Sequence, residues 1–179
     1  MMETGLVLPI PEAEPIVSHL RAAHDPSAAA GMPAHITVLY PFRPYEAIDT
    51  ACLSAIASIV ANVEPLDITF RGHSSFPTVL WLAPVPAEPI AKLTEAVFSR
   101  FPEHPPYGGA FDTITPHLTV AEGDKDVLDA AMAEIDETMR EPVTAQVRQC
   151  MLFAFDAGRW REKHRFPFGG RKHEVVPRN

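Results

Sequence analysis

The sequence predicts strands and helices in alternation, arranged as two roughly similar halves, and three observations carry that reading. Apolar residues recur at helical spacing in some stretches and at every second position in others. Nineteen prolines, about twice the usual share of roughly 5%, punctuate the chain into short elements with firm turns. One short string holding His and Thr occurs twice, 82 positions apart. The pattern favours an α/β or α+β sandwich over a helical bundle or an all-β barrel. At 179 residues, 46% of them hydrophobic, the chain is long enough to bury a core as one domain covering 1–179, built from two lobes.

Taken in order, residues 5–10 are a short apolar strand, and 11–24 a helix with Pro11 in its first turn. A loop of small residues at 25–32 leads to a β-branched strand at 33–41, closed by Pro41. Leu53, Ile56, Ile59, Val60 and Val63 mark a helix over 47–63, with Asp49 near its N-terminus where the dipole favours an acid. Leu66, Ile68 and Phe70 alternate with polar residues as a half-buried strand does, and 79–83 is apolar throughout, as in a buried one. Residues 87–101 form a helix, 117–121 a strand and 125–139 another helix. Two strands, 143–155 and 159–166, then turn about Asp156, Ala157 and Gly158.

Charge and cysteine usage exclude several classes. Cys52 and Cys150 are too few for a disulfide framework or a Cys-based zinc site, and both fall in apolar segments as core residues. Net charge is -8, which argues against a protein that coats nucleic acid nonspecifically. The charge is uneven: residues 158–179 carry +5 and the first 157 carry -13. A local basic segment on an acidic body suits a small anionic ligand. Neither an export signal nor a membrane span is expected, so the expected location is cytoplasmic. Loops of the Walker, Rossmann, nucleophile-elbow and zincin types are absent from the sequence.

The repeated string is Pro33-Ala34-His35-Ile36-Thr37-Val38 and then Thr115-Pro116-His117-Leu118-Thr119-Val120. A His-x-Thr flanked by aliphatic residues is expected by chance in only roughly 0.02 copies in such a chain, so two copies need a cause. On a strand, residues i and i+2 share a face. His35 and Thr37 therefore point one way while Ile36, Val38 and Tyr40 point the other, with Tyr40 and Phe42 assigned to the core. His117 and Thr119 repeat the arrangement. Two such strands side by side would gather two imidazoles and two hydroxyls in one cleft. One neutral His can take a proton from an attacking oxygen and one protonated His can give a proton to a leaving oxygen, as cleavage of a phosphodiester needs. Threonine hydroxyls can donate to the non-bridging phosphate oxygens. The scheme requires no metal and no cofactor.

On these residues the chain resembles the 2H phosphoesterase superfamily, in its 2'-5' RNA ligase-like or cyclic phosphodiesterase branch, from the Thr4-Gly5-Leu6-Val7-Leu8-Pro9 strand to Arg165-Phe166-Pro167-Phe168-Gly169. The resemblance implies a bilobal, internally duplicated α+β fold with antiparallel-rich sheets flanked by helices round a central cleft. It implies His35 and His117 as the acid-base pair and Thr37 and Thr119 as phosphate ligands. It also implies hydrolysis of 2',3'-cyclic phosphates or related 2'-linked diesters, with RNA ligation as the reverse. Partners are then a small cyclic nucleotide or an RNA terminus rather than a membrane or a long RNA track, with a monomer favoured. A noncatalytic module holding a nucleotide or RNA end is the competing class.

Further candidate contacts are His73, at a strand end or in a solvated loop, and Phe76, beside Pro77, which could stack on a base. Trp81 reads as core. Arg159, Arg161, Lys163 and Arg165 alternate with Trp160, Glu162, His164 and Phe166, which gives either a basic rim for phosphates, with Arg159 and Arg161 as contacts, or a charged edge strand.

Overall fold

A computed structural model describes residues 1–110 and 113–169. Arg171, Lys172 and Arg178, three of the seven basic residues in the terminal segment, lie outside the described residues. Among the described residues eight strands form two four-stranded antiparallel sheets, ordered β2-β1-β7-β8 and β5-β4-β3-β6. The first is built from β1 (Thr4–Pro9), β2 (His35–Leu39), β7 (Gln149–Asp156) and β8 (Arg159–Pro167). The second is built from β3 (Leu66–Phe76), β4 (Val79–Val85), β5 (Leu118–Glu122) and β6 (Val143–Val147). The fold is thus α+β and bilobal, and the two sheets repeat one plan: an edge strand that starts at or just after a His pairs antiparallel with an apolar strand, two more following.

Helices cover the sheets. They are α1 (Glu14–His24), the single turn α2 (Pro26–Ala29), α3 (Thr50–Val60), α4 (Glu88–Arg100) and α5 (Lys125–Thr138). Pro11 opens a 3-10 turn ahead of α1, and α2 lies in the stretch read as a loop because Asp25 caps it, accepting from the Ser27 and Ala28 backbone N–H groups. Asp49 caps α3 in the same way, through the Cys52 N–H at 2.7 Å. One hydrophobic cluster, with Leu8, Ile36, Ile68, Leu82, Val120 and Leu152 fully buried or nearly so, runs through both sheets and the helices. Among the described residues no helix is long and apolar enough to cross a membrane.

Two expectations are corrected. The strand expected over 143–155 is two strands in different sheets: Arg148 is the crossing point, β6 pairing with β3 and β7 with β1. No Gly or Pro marks the break, but the pattern changes there. Val143, Ala145 and Val147 alternate with polar neighbours on a half-buried edge strand, whereas Cys150 to Ala154 is buried without interruption at the centre of the other sheet. His73 lies inside β3, not in a loop, because a bulge beside Gly72 lets the strand continue to Phe76 before a two-residue turn into β4. The β7–β8 turn matches its sequence signal: Ala157 and Gly158 both adopt positive φ, 49° and 79°, as a tight hairpin of this type requires.

Candidate active site

The edge strands β2 and β5 pack against each other across the two sheets. His35 and Thr37 on β2 are half-buried on one face while Ile36 and Val38 are buried on the other. Thr119 on β5 is likewise half-buried between the buried Leu118 and Val120, with His117 immediately before the strand. His35 Nδ1 donates to the Pro33 carbonyl at 2.8 Å, and His117 Nδ1 to the Thr115 carbonyl at 2.7 Å. A carbonyl only accepts, so both rings carry their proton on Nδ1 when neutral and leave the Nε2 lone pair for chemistry. The identical hydrogen bond two residues back along the chain in both strings is the clearest sign of the duplication.

A second device is shared. Leu6 pairs with Leu39 but Val7 with Thr37, so Val38 is an extra residue in β2; Leu80 pairs with Ala121 but Trp81 with Thr119, so Val120 is extra in β5. Each bulge sits one residue past the threonine and reverses the alternation beyond it. Val38 and Leu39 are both buried, as are Val120 and Ala121, and the residues five past each histidine, Tyr40 and Glu122, turn to the cleft. This corrects the assignment of Tyr40 to the core: it is 39% exposed and lines the cavity, whereas Phe42 is buried at 4% as expected.

That cavity, about 440 Å³, falls in the size range of small-ligand sites and brings together His35, Thr37 and Thr119. Its far wall belongs to the first sheet. Gly5 lets the Tyr40 ring close on β1, since a Cβ there would lie 3.3 Å from Tyr40 Cδ2. Trp160 meets Tyr40 edge-on at 5.9 Å and Phe155 at 5.3 Å, and Met32 and Val7 fill the floor. Trp160, Phe155 and Met32 were not singled out from the sequence as site residues. The signal that places Trp160 is the bulge at Lys163, invisible to simple alternation. It sets Trp160, Glu162 and Arg165 on the cavity side of β8, and Arg159, Arg161, His164 and Phe166 on the other. The expected two-face split of this strand is therefore corrected. Arg159 and Arg161 do not line the cavity, Arg165 pairs with Glu162, and Lys163 lies 5.0 Å over the Tyr45 ring.

The two imidazoles have different surroundings. Beneath His35 lies a buried ion pair, Arg21 Nη2 to Asp25 Oδ2 at 2.9 Å, with both side chains 2% exposed. Asp25 Oδ1 accepts from the Ser27 hydroxyl and backbone N–H. Burial pulls the His35 imidazole down to about 4 against the opposing pull of the Pro33 carbonyl, and the smaller Arg21 charge adds to the fall against Asp25. His117 feels a similar burial, which lowers its pKa against the Thr115 carbonyl. It is enclosed by rings: Phe76 edge-on at 5.3 Å, Trp81 at 5.8 Å, and Tyr107 stacked at 6.1 Å. Tyr107, also unforeseen, donates its hydroxyl to the same Thr115 carbonyl at 3.1 Å. Trp81 is buried at 8% exposure as expected of core, yet Phe76 stacks on it at 5.0 Å and it faces His117 too. His73 is drawn away from the cavity by Asp136 of α5, 3.1 Å from its Nε2. Among the described residues no group of three or more His, Cys, Asp or Glu could hold a metal ion.

Comparison with known proteins identifies the family of this fold. The sequence profile of the 2'-5' RNA ligase superfamily matches residues 8–159. A Bacillus licheniformis protein named as a phosphoesterase is 26% identical over 176 residues, covering 94% of this chain and 99% of its own. E. coli LigT, in its apo form, superposes with a TM-score of 0.59 at 18% identity, covering 94% of this chain and 98% of LigT. TT0787 of Thermus thermophilus superposes with a TM-score of 0.60 at 18% identity, covering 95% and 100%. The two solved structures share the fold, and the matched profile spans most of the length: the chain belongs to the 2'-5' RNA ligase superfamily of 2H phosphoesterases.

Proposed function

We propose that the chain is a metal-independent phosphodiesterase that opens 2',3'-cyclic phosphate ends of nucleotides or RNA by two-histidine acid-base catalysis. The observation that carries the reading is the pair of imidazoles whose Nδ1 atoms are each tied to a carbonyl two residues back, each followed by a half-buried threonine. His35 is the general base: burial and the Arg21 charge keep it neutral at physiological pH, with its lone pair on Nε2. His117 is the general acid: burial lowers its pKa as well, and the negative charge of a bound phosphodiester would favour its imidazolium form. His35 Nε2 takes a proton from water, the water oxygen bonds to phosphorus, and the bond from phosphorus to the 2' or 3' oxygen breaks. His117 Nε2–H protonates that leaving oxygen, giving a monoester. Thr37 and Thr119 donate to the non-bridging oxygens as charge builds there. LigT has been solved with 3'-AMP, a nucleotide monoester of the kind this reaction forms, which supports a nucleotide as substrate. Ligation of RNA ends would use the same groups in reverse.

The test is incubation of the purified protein with nucleoside 2',3'-cyclic phosphates, following the monoester by chromatography with and without chelator. Turnover indifferent to chelator is expected. Binding of the cyclic nucleotide with no product would reduce the site to a holding module.

A further inference from the structure

Within the cyclic-phosphate reading, the charge of the cavity carries a substrate preference. Glu122 faces the cavity because of the bulge at Val120, and among the described residues it makes neither a hydrogen bond nor an ion pair. Partial burial and the nearby Asp25 push its pKa up, the mark of a carboxylate without a cation to balance it. Glu3 also lines the cavity, its Oε2 accepting the Tyr40 hydroxyl at 2.8 Å. Asp25 is balanced by Arg21. Among the described residues no Lys or Arg lines the cavity, and the one imidazole on its wall is held neutral. A phosphate in this cleft therefore meets the Thr37 and Thr119 hydroxyls and the His35 imidazole, and with them carboxylates that no cation balances.

We infer that the site selects cyclic diesters bearing a single negative charge over those carrying a further phosphate, and that Glu122 enforces the choice. One charge spread over two non-bridging oxygens can be held by the threonine hydroxyls. A second phosphate, nearly dianionic at neutral pH, would be brought beside the like charges of Glu122 and Glu3, both solvent-exposed, where salt can screen the repulsion. The natural substrate is then a nucleoside cyclic phosphate with a free 5' hydroxyl, the size of one nucleotide.

The experiment compares adenosine 2',3'-cyclic phosphate with its 5'-phosphorylated counterpart, by kcat/KM and by calorimetric affinity, in wild type and Glu122→Gln. The wild type is expected to prefer the unphosphorylated ligand about tenfold, the scale of one like-charge pair at partly buried distance. The preference should shrink as KCl is raised, and Glu122→Gln should cut it at least about threefold. Equal kcat/KM and equal affinity for the two ligands, or a preference untouched by Glu122→Gln, would overturn the inference. Because affinity reads the preference without turnover, a protein that discriminates in binding but makes no product keeps this inference and sinks the phosphodiesterase reading instead.

Discussion

The strand that carries His35 and the strand that follows His117 share a backbone and differ in what surrounds it. Both tie Nδ1 to a carbonyl two residues earlier and both place a bulge after the threonine. Around His35 lie a buried guanidinium-carboxylate pair and an open cavity; around His117 lie Phe76, Trp81 and Tyr107. The lesson is that duplication preserved the devices that orient an imidazole, while the neighbours round it diverged. Two copies of one motif can thereby take opposite roles.

The sharpest way to break this comparison uses two leaving groups. On a 2',3'-cyclic phosphate, His35→Ala and His117→Ala should each lower kcat/KM by about 10³ to 10⁴. On a p-nitrophenyl phosphodiester, whose leaving oxygen needs no proton, His117→Ala should recover most of its loss and His35→Ala should not. Recovery in His35→Ala instead would exchange the roles of the two residues.

A smaller effect concerns the ion pair that only the first strand has. Arg21→Met leaves the Asp25 carboxylate buried without its cation and should destabilise the fold by about 3–5 kcal/mol, read by urea denaturation. The corresponding change beside His117, Tyr107→Phe, removes one hydrogen bond and should cost only about 1 kcal/mol.

A further difference is in pH. His35 holds its proton less tightly in the native state, about 4, than in the unfolded chain, about 6.5. Between those values the unfolded state binds more protons, so stability present above pH 6.5 is lost as pH falls toward 4, by at most about 3 kcal/mol. His35→Gln should flatten the loss when denaturation midpoints at about pH 7 and about pH 4.5 are compared. An equal loss in wild type and variant would show that the depression is not there.

Much of this was legible in the chain. The paired His-x-Thr strings, the order of most strands and helices, the Asp49 cap and the hairpin at Ala157-Gly158 all follow from local pattern, since each depends on residues adjacent in sequence. What escaped depends on register between strands. The bulges at Val38, Val120 and Lys163 leave no mark in composition, yet they decide that Tyr40, Glu122 and Trp160 face the cavity and that Arg159 and Arg161 do not. The crossing at Arg148 escaped for a related reason: both flanking segments favour strand, and only the choice of partner separates them.

The bulges also re-aim the chain. An inserted residue reverses the alternation beyond it, so one more side chain on each strand joins the face of the histidine and threonine. Tyr40 and Glu122 thus hold matching places in the two halves with unlike chemistry. Exchanging Tyr40 and Glu122 for other residues would be an economical route to new substrate ranges on this scaffold, with no redesign of the reacting groups.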